Sequence, residues 1–303
     1  MSIHSEAVRR AYAVGLLLAG LSACGGGGGG DSAPSTPALA LSLPSNYVLK
    51  WSDEFDAGSA PSSYWTYDLG SPLLGGTVWG NNEKQYYTSN PANVFQSGGE
   101  LTIQAVAGVP ADAPSGRDLL ATSARLKTDT AAYYSALNGT PYGFYEIRAK
   151  VPCVAGAWPA IWLMGKDGVW PARGEVDVME WFGAQFADRP NQVQSAVHTT
   201  HNHWGSAAGL LYGKRDQQDM CTQYHRFQLH WSANEILIGV NGVPTFSYKK
   251  PSGAGLDKWP FDQPAHLILN VAVGGNLGGS VNPDDISRMT LKVDYVKVWQ
   301  SAP

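Results

Sequence analysis

This sequence predicts an all-β fold, a sandwich of two antiparallel sheets. Short runs that alternate apolar and polar residues recur between Tyr47 and Gln300, and clusters of Gly, Pro, Asn and Asp separate them. No long stretch carries the period of an amphipathic helix, and no internal repeat is visible. Sandwiches commonly reach roughly 200–250 residues as one domain, enough to bury a core without staples.

Leu101-Thr-Ile-Gln-Ala-Val is the first clear alternation, followed by Phe144-Tyr-Glu-Ile-Arg-Ala-Lys-Val and Gln228-Leu-His-Trp. Ile236-Leu-Ile-Gly-Val runs into Asn241-Gly242, a pair that tolerates the positive φ of a primed two-residue turn, and so predicts a hairpin. Leu267-Ile-Leu-Asn-Val-Ala-Val and Leu291-Lys-Val-Asp-Tyr-Val-Lys-Val close the set.

The N-terminus is organised differently. Arg9 and Arg10 precede an apolar run, Ala11 to Leu21, too short to span a bilayer but of the length of a signal h-region. It ends in Leu21-Ser22-Ala23-Cys24, which resembles the bacterial lipobox. Residues 1–23 are read as a lipoprotein signal peptide and Cys24 as the lipidated residue. Residues 24–45 then form a Gly/Ser/Pro-rich tether, with a reach of roughly 25 Å for about 20 residues. An ordinary secretory signal with an incidental cysteine is the alternative; the coincidence of lipobox, short apolar run and tether favours an exported protein anchored to a membrane through Cys24. Gly25 in place of Asp points to the outer membrane of a Gram-negative cell. The catalytic-sized domain is expected at 46–302.

A formal net charge of −4 and a pI near 5.9 leave no basic footprint, which argues against nucleic acid as a partner. Charged residues make up only 15% of the chain, against 11 Trp and 14 Tyr. Their flat faces either stack on sugar rings or fill a β-rich core, and composition does not choose between these. With Cys24 set aside, Cys153 and Cys221 remain. An even pair in an oxidising compartment favours a disulfide over two buried thiols.

The chemistry concentrates in Gly174-Glu175-Val176-Asp177-Val178-Met179-Glu180-Trp181. In a strand Glu175 and Asp177 share one face and Val176 and Val178 the other. Strict alternation would bury Glu180 among the valines, a costly place for an unpaired carboxylate. One extra residue at Val178-Met179, a β-bulge, returns Glu180 to the face of the other two. Four effective strand steps then separate the two Glu Cα atoms by about 13 Å, and inward-leaning side chains leave a gap near 5–6 Å. Retaining glycosidases place their two carboxyls about 5–5.5 Å apart. Three crowded carboxyls cannot all ionise cheaply, so at least one keeps its proton near neutrality. A solvated acidic face, or a cation site, has comparable weight on spacing alone.

At this point the sequence resembles glycoside hydrolase family 16, in its laminarinase-like branch. Glu175-Val-Asp177-Val-Met-Glu180 resembles the family's catalytic strand in its bulged form. Around it stand Trp51-Ser-Asp-Glu-Phe55, Trp79-Gly-Asn-Asn-Glu83, Thr122-Ser-Ala-Arg125, Tyr142-Gly-Phe-Tyr-Glu-Ile-Arg148, Trp158-Pro-Ala-Ile-Trp162, Asn270-Val-Ala-Val-Gly-Gly-Asn276 and Val293-Asp-Tyr-Val-Lys-Val298. The resemblance covers roughly residues 48 to 300. It implies a concave, concanavalin-like jelly roll with a cleft for a β-glucan polysaccharide, working as a monomer and requiring no cofactor. It implies Glu175 as nucleophile, Glu180 as acid/base, Asp177 as their helper, and His198 near the acid/base. Trp158 and Trp162 would lie near the scissile bond, although Pro159 between them puts their shared face in doubt. Asn81 and Arg125 are candidates for sugar hydroxyl contacts, or for structural hydrogen bonds. A structural calcium, common in the family, would draw on Asp294 and Glu54. Trp181 and Phe182 are read as packing.

His198, His201 and His203 hint at zinc, yet no Cys or acidic ligand completes the set, so a polar loop is expected. Gly274-Gly-Asn-Leu-Gly-Gly279 lacks the Lys-Ser/Thr of a phosphate loop and reads as a tight turn beside the cleft. The resemblance favours a retaining endo-1,3-β-glucanase. The same chemistry on agarose, carrageenan, porphyran or mixed-linkage glucan, or transglycosylation, is the alternative, and a non-catalytic glucan-binding protein is the third.

Overall fold

The computed structural model describes residues 40–302, so the signal peptide, Cys24 and most of the tether lie outside the described residues. Two antiparallel sheets face each other. The outer sheet runs, in spatial order, Val243–Lys249, Glu235–Val240, His225–Trp231, Gly143–Lys150, Thr290–Ser301, Leu101–Gln104 and Val94–Gln96, with Tyr47–Asp53 also paired to Thr290–Ser301. The inner sheet runs Leu211–Asp216, Gln192–His198, Glu175–Glu180, Ala157–Gly165, Ala265–Val273, Arg125–Lys127 and Thr66–Tyr67. Every pairing within these two sheets is antiparallel.

The core sits between the sheets. Ile147, Phe227 and Val296 of the outer sheet and Val176, Leu267 and Leu269 of the inner one are fully buried there. Each such side chain contributes on the order of 1.5–3 kcal/mol relative to exposure. Ala265–Val273 is buried at all nine positions because it lies inside the inner sheet, with His266 and Asn270 the polar residues among apolar ones. Among the described residues the α-helices are short, the longest being Ala131–Ala136, and no helix is long and apolar enough to cross a membrane.

Three local features bear on the sequence reading. Asn241 and Gly242 both take positive φ, 51° and 84°, closing the expected hairpin. Pro159 does not break its strand: it sits opposite Val271, and its carbonyl accepts the Trp181 N–H. Alternation therefore survives, with Pro159, Ile161 and Leu163 buried and Trp158 and Trp162 half-buried on the opposite face. Cys153 and Cys221 are bonded, closing a loop with a sequence separation of 68. Such a closure stabilises by about 4 kcal/mol in the chain-entropy account.

The domain begins before residue 46. Leu41 donates its N–H to the Gly242 carbonyl at 2.9 Å and buries its side chain against Phe144 and Leu237. An apolar residue within a polar tether finds a gap over the hairpin and fills it.

Candidate active site

The strand Glu175–Glu180 lies third from one edge of the inner sheet. Against Gln192–His198 its register jumps from Asp177↔Ala196 to Glu180↔Gln194, so Val178 and Met179 together oppose Ser195. The same irregularity shows against Ala157–Gly165, where Trp162↔Asp177 is followed by Ile161↔Met179. This bulge sends Val176, Val178 and Met179 into the core and leaves Glu175, Asp177 and Glu180 together on the other face. Small residues make room for the carboxyls across the ladder: Ala160 opposite Glu180 and Ala196 opposite Asp177.

Each glutamate accepts an indole N–H. Trp158 Nε1 donates to Glu180 at 3.0 Å, and Trp170 Nε1 donates to Glu175 at 2.8 Å. His198, directly across the ladder from Glu175, brings Nε2 to 3.1 Å from Asp177 and 3.8 Å from Glu175. His198, expected near Glu180, stands across from Glu175, and its charge also acts on Glu180. Trp162 Nε1 donates to Asn270 Oδ1 at 2.8 Å, and Asn270 in turn donates to the Tyr87 hydroxyl.

Burial dominates the electrostatics. It pushes the Glu175 carboxyl up to about 8, with the Asp177 charge adding to it and His198 and the Trp170 N–H opposing. It also holds Glu180 well above the carboxylate range, again with Asp177 adding and the Trp158 N–H opposing. For His198, burial works against the charged form, but Glu175, Asp177 and Glu180 outweigh it and carry the ring to about 10. With all four groups charged the cluster would hold three negative charges against one positive. A buried cluster relieves that excess by keeping a proton on a carboxyl. Both glutamates have an indole N–H, but His198 sits at direct contact distance from Glu175, 3.8 Å, so the Glu175 anion is the better stabilised. The face therefore offers a proton donor and a carboxylate side by side, the two roles that hydrolysis of a glycosidic bond requires.

Arg125 does not present a free guanidinium. It is stacked on Trp79 (4.7 Å) and Trp162 (4.6 Å), and its Nε lies 3.0 Å from Asp68. Asn81 donates to the Trp79 carbonyl and to Glu83, both at 3.3 Å. Both residues are held by the protein itself, the structural option that the sequence left open. The glycine-rich segment forms a short helical turn, Gly275–Gly278, and Asn276 N–H donates to the Asn81 carbonyl. Gly275 has φ of 70°, and a Cβ there would meet that same carbonyl oxygen at 2.7 Å, so the close approach requires glycine.

Asp294 and Glu54, expected as calcium ligands, are each paired with a basic side chain. Asp294 binds Arg148 at 2.5 Å and Glu54 binds Lys297 at 3.0 Å, so each carboxylate already has a cation. The zinc hint fares no better: His203 Nδ1 faces the Thr199 carbonyl and its ring packs edge-on against Trp170, while His201 is exposed. Among the described residues, the side chains gathered closely enough to hold an ion are Glu175, Asp177 and His198, the acidic row itself.

Two residues of the site escape the sequence reading. Trp170 lies in an irregular loop, where strand parity says nothing of direction; the available signal was a Trp-Pro pair just ahead of Glu175. Asn270 was legible as a polar residue inside the apolar run Leu267–Val273. Trp181 and Phe182 are buried packing, as read.

Comparison with known proteins follows this geometry. Residues 81–297 match the family described as Glycosyl hydrolases family 16. A β-glucanase of Rhodothermus marinus is 37% identical over 272 residues, which cover 84% of this chain and 86% of the relative. A glucan endo-1,3-β-glucosidase of Cryptopygus antarcticus is 33% identical, covering 84% of this chain and 92% of the relative. Among solved structures, SCLam, a non-specific endo-β-1,3(4)-glucanase, superposes with a TM-score of 0.76 at 34% identity. That superposition covers 88% of this chain and 97% of the other.

Proposed function

The chain belongs to glycosyl hydrolases family 16, and from that premise we propose that it is a retaining endo-glycosidase acting on β-1,3-glucan. Glu175 attacks the anomeric carbon while Glu180 gives its proton to the departing glycosidic oxygen. A covalent glycosyl-enzyme forms. Glu180, now a carboxylate, takes a proton from water, which attacks the same carbon and releases Glu175. Asp177 and His198 hold the charge of the row between them. The observation that carries this reading is the shared face of Glu175 and Glu180, each on an indole N–H. The names of several relatives, a β-glucanase and a glucan endo-1,3-β-glucosidase among them, support the substrate class, while a keratan-sulfate endo-1,4-β-galactosidase is also among the relatives. We further propose that the enzyme is exported and held at the outer membrane by lipid on Cys24.

The test is release of reducing sugar from laminarin, lichenan, agarose and carrageenan in parallel, with Glu175→Gln and Glu180→Gln beside the wild type. Laminarin should be preferred, and each variant should lose at least about 10³-fold in kcat, the scale at which direct participants act. Preference for a galactan would keep the mechanism and overturn the substrate. A folded wild type silent on all four would favour the glucan-binding reading, and an unimpaired Glu175→Gln enzyme would remove the central assignment.

A further inference from the structure

The catalytic strand is not at the edge of the inner sheet. On one side of it lie Ala157–Gly165 and Ala265–Val273, carrying Trp158, Trp162 and Asn270. On the other lie Gln192–His198 and the edge strand Leu211–Asp216, which the mechanism above uses only at His198. Register extends the acidic face across those two strands. Asp177 faces Ala196, and Ala196 faces Tyr212; Glu180 faces Gln194, and Gln194 faces Lys214. Residues directly opposite in a ladder project to the same side of the sheet. Tyr212 and Lys214 therefore stand on the face of the catalytic carboxyls, two strands away.

Tyr212 is 51% exposed, a large aromatic ring left open on that face. It is also firmly mounted. Between it and Lys214 comes Gly213, whose opposite side abuts the outer sheet: a Cβ there would meet the Thr245 carbonyl oxygen at 2.2 Å. Lys214 packs among Gln185, Phe186 and Tyr212 itself, its ammonium 3.2 Å from Gln185 Oε1, 5.2 Å from the Phe186 ring centroid and 5.7 Å from that of Tyr212. Ala196, between Tyr212 and Asp177, is small and buried, so nothing tall in that row separates the ring from the carboxyls. The loop joining the two strands adds Trp204, 69% exposed.

We propose that Tyr212 is a stacking platform for a sugar ring on the leaving-group side of the bond that is cut, across the catalytic strand from Trp158 and Trp162. The proposal rests on the glucanase reading and deepens it. Platforms on both sides of the reacting pair hold rings on both sides of the bond that is cut, which is the geometry of cleavage within a chain. A neutral ring with C–H groups on its faces suits the open face of a tyrosine.

The experiment compares wild type, Tyr212→Ala and Tyr212→Phe on two substrates. One is the β-1,3-linked glucose hexasaccharide; the other is the β-fluoride of the disaccharide, whose one-atom leaving group leaves the far half of the cleft empty. Tyr212→Ala should lower kcat/KM on the hexasaccharide by roughly ten-fold, the scale of one aromatic contact, and leave the fluoride within about two-fold. Tyr212→Phe, which keeps the face, should match wild type on both. Equal losses on both substrates, no loss on either, or a Phe variant as impaired as Ala would each overturn the platform. A wild type inactive on both substrates would instead remove the glucanase reading, and the platform with it.

Discussion

At the scale of single residues, the site works by opposing burial with directed partners. Glu175 is pushed up by burial and by Asp177, and it is restrained by His198 and by the Trp170 N–H. A nucleophile must be ionised, so activity falls as pH drops through the Glu175 titration. Trp170→Phe removes an N–H that favours the anion while keeping a ring. Glu175 then titrates higher, and the acid limb of the kcat/KM profile should move to higher pH. A profile lowered in height but unmoved in pH would mean that Trp170 serves only as a wall. That the three carboxyls share a face could be argued from strand parity and the cost of burying Glu180, while their roles rest on the family resemblance. Trp170 could not be placed, because a loop side chain takes its direction from contacts that the local sequence does not encode.

At the scale of elements, the bulge is the device that decides which face Glu180 occupies. A strand has a period of two, so adding or removing one residue flips everything beyond it. Deleting Met179 would leave Glu-Val-Asp-Val-Glu, a regular strand with all three carboxyls still on one face. Deleting Val178 as well would place Glu180 directly after Asp177, on the core side. The single deletion should keep measurable hydrolysis despite losing a buried side chain. The double deletion should lose activity and be destabilised by a few kcal/mol, since it buries an unpaired carboxyl. Assays of sugar release and thermal melts of the two would decide; equal behaviour would show that facial parity is not what matters. The bulge could be inferred because a carboxylate at an apolar position is expensive. The persistence of the strand through Pro159 could not, since it depends on a neighbouring strand accepting a residue with no N–H.

At the scale of the molecule, one sandwich carries the acidic row on its inner sheet, and Leu41 ties the start of the described chain to the outer-sheet hairpin. With Cys24 lipidated, the domain would hang from the membrane by the stretch between Cys24 and Leu41, shorter than the tether read from composition. Cys24→Ser should move the protein from the membrane fraction to the soluble one while leaving hydrolysis of a soluble glucan intact. Continued membrane association of that variant would refute the anchor.

Fold class, the acidic row with its bulge, and the pairing of Cys153 with Cys221 were all within reach of one-dimensional reasoning. Period, parity and cysteine count are local properties, and each has a strong energetic penalty for the wrong answer. The position of His198 at the Glu175 end, the indole on each glutamate, the cations that occupy Asp294 and Glu54, and the alignment of Tyr212 with Asp177 were decided by the assembled sheets. Those contacts join residues far apart in the chain, and their geometry follows from strand order and register, which many segments determine together and no single segment contains.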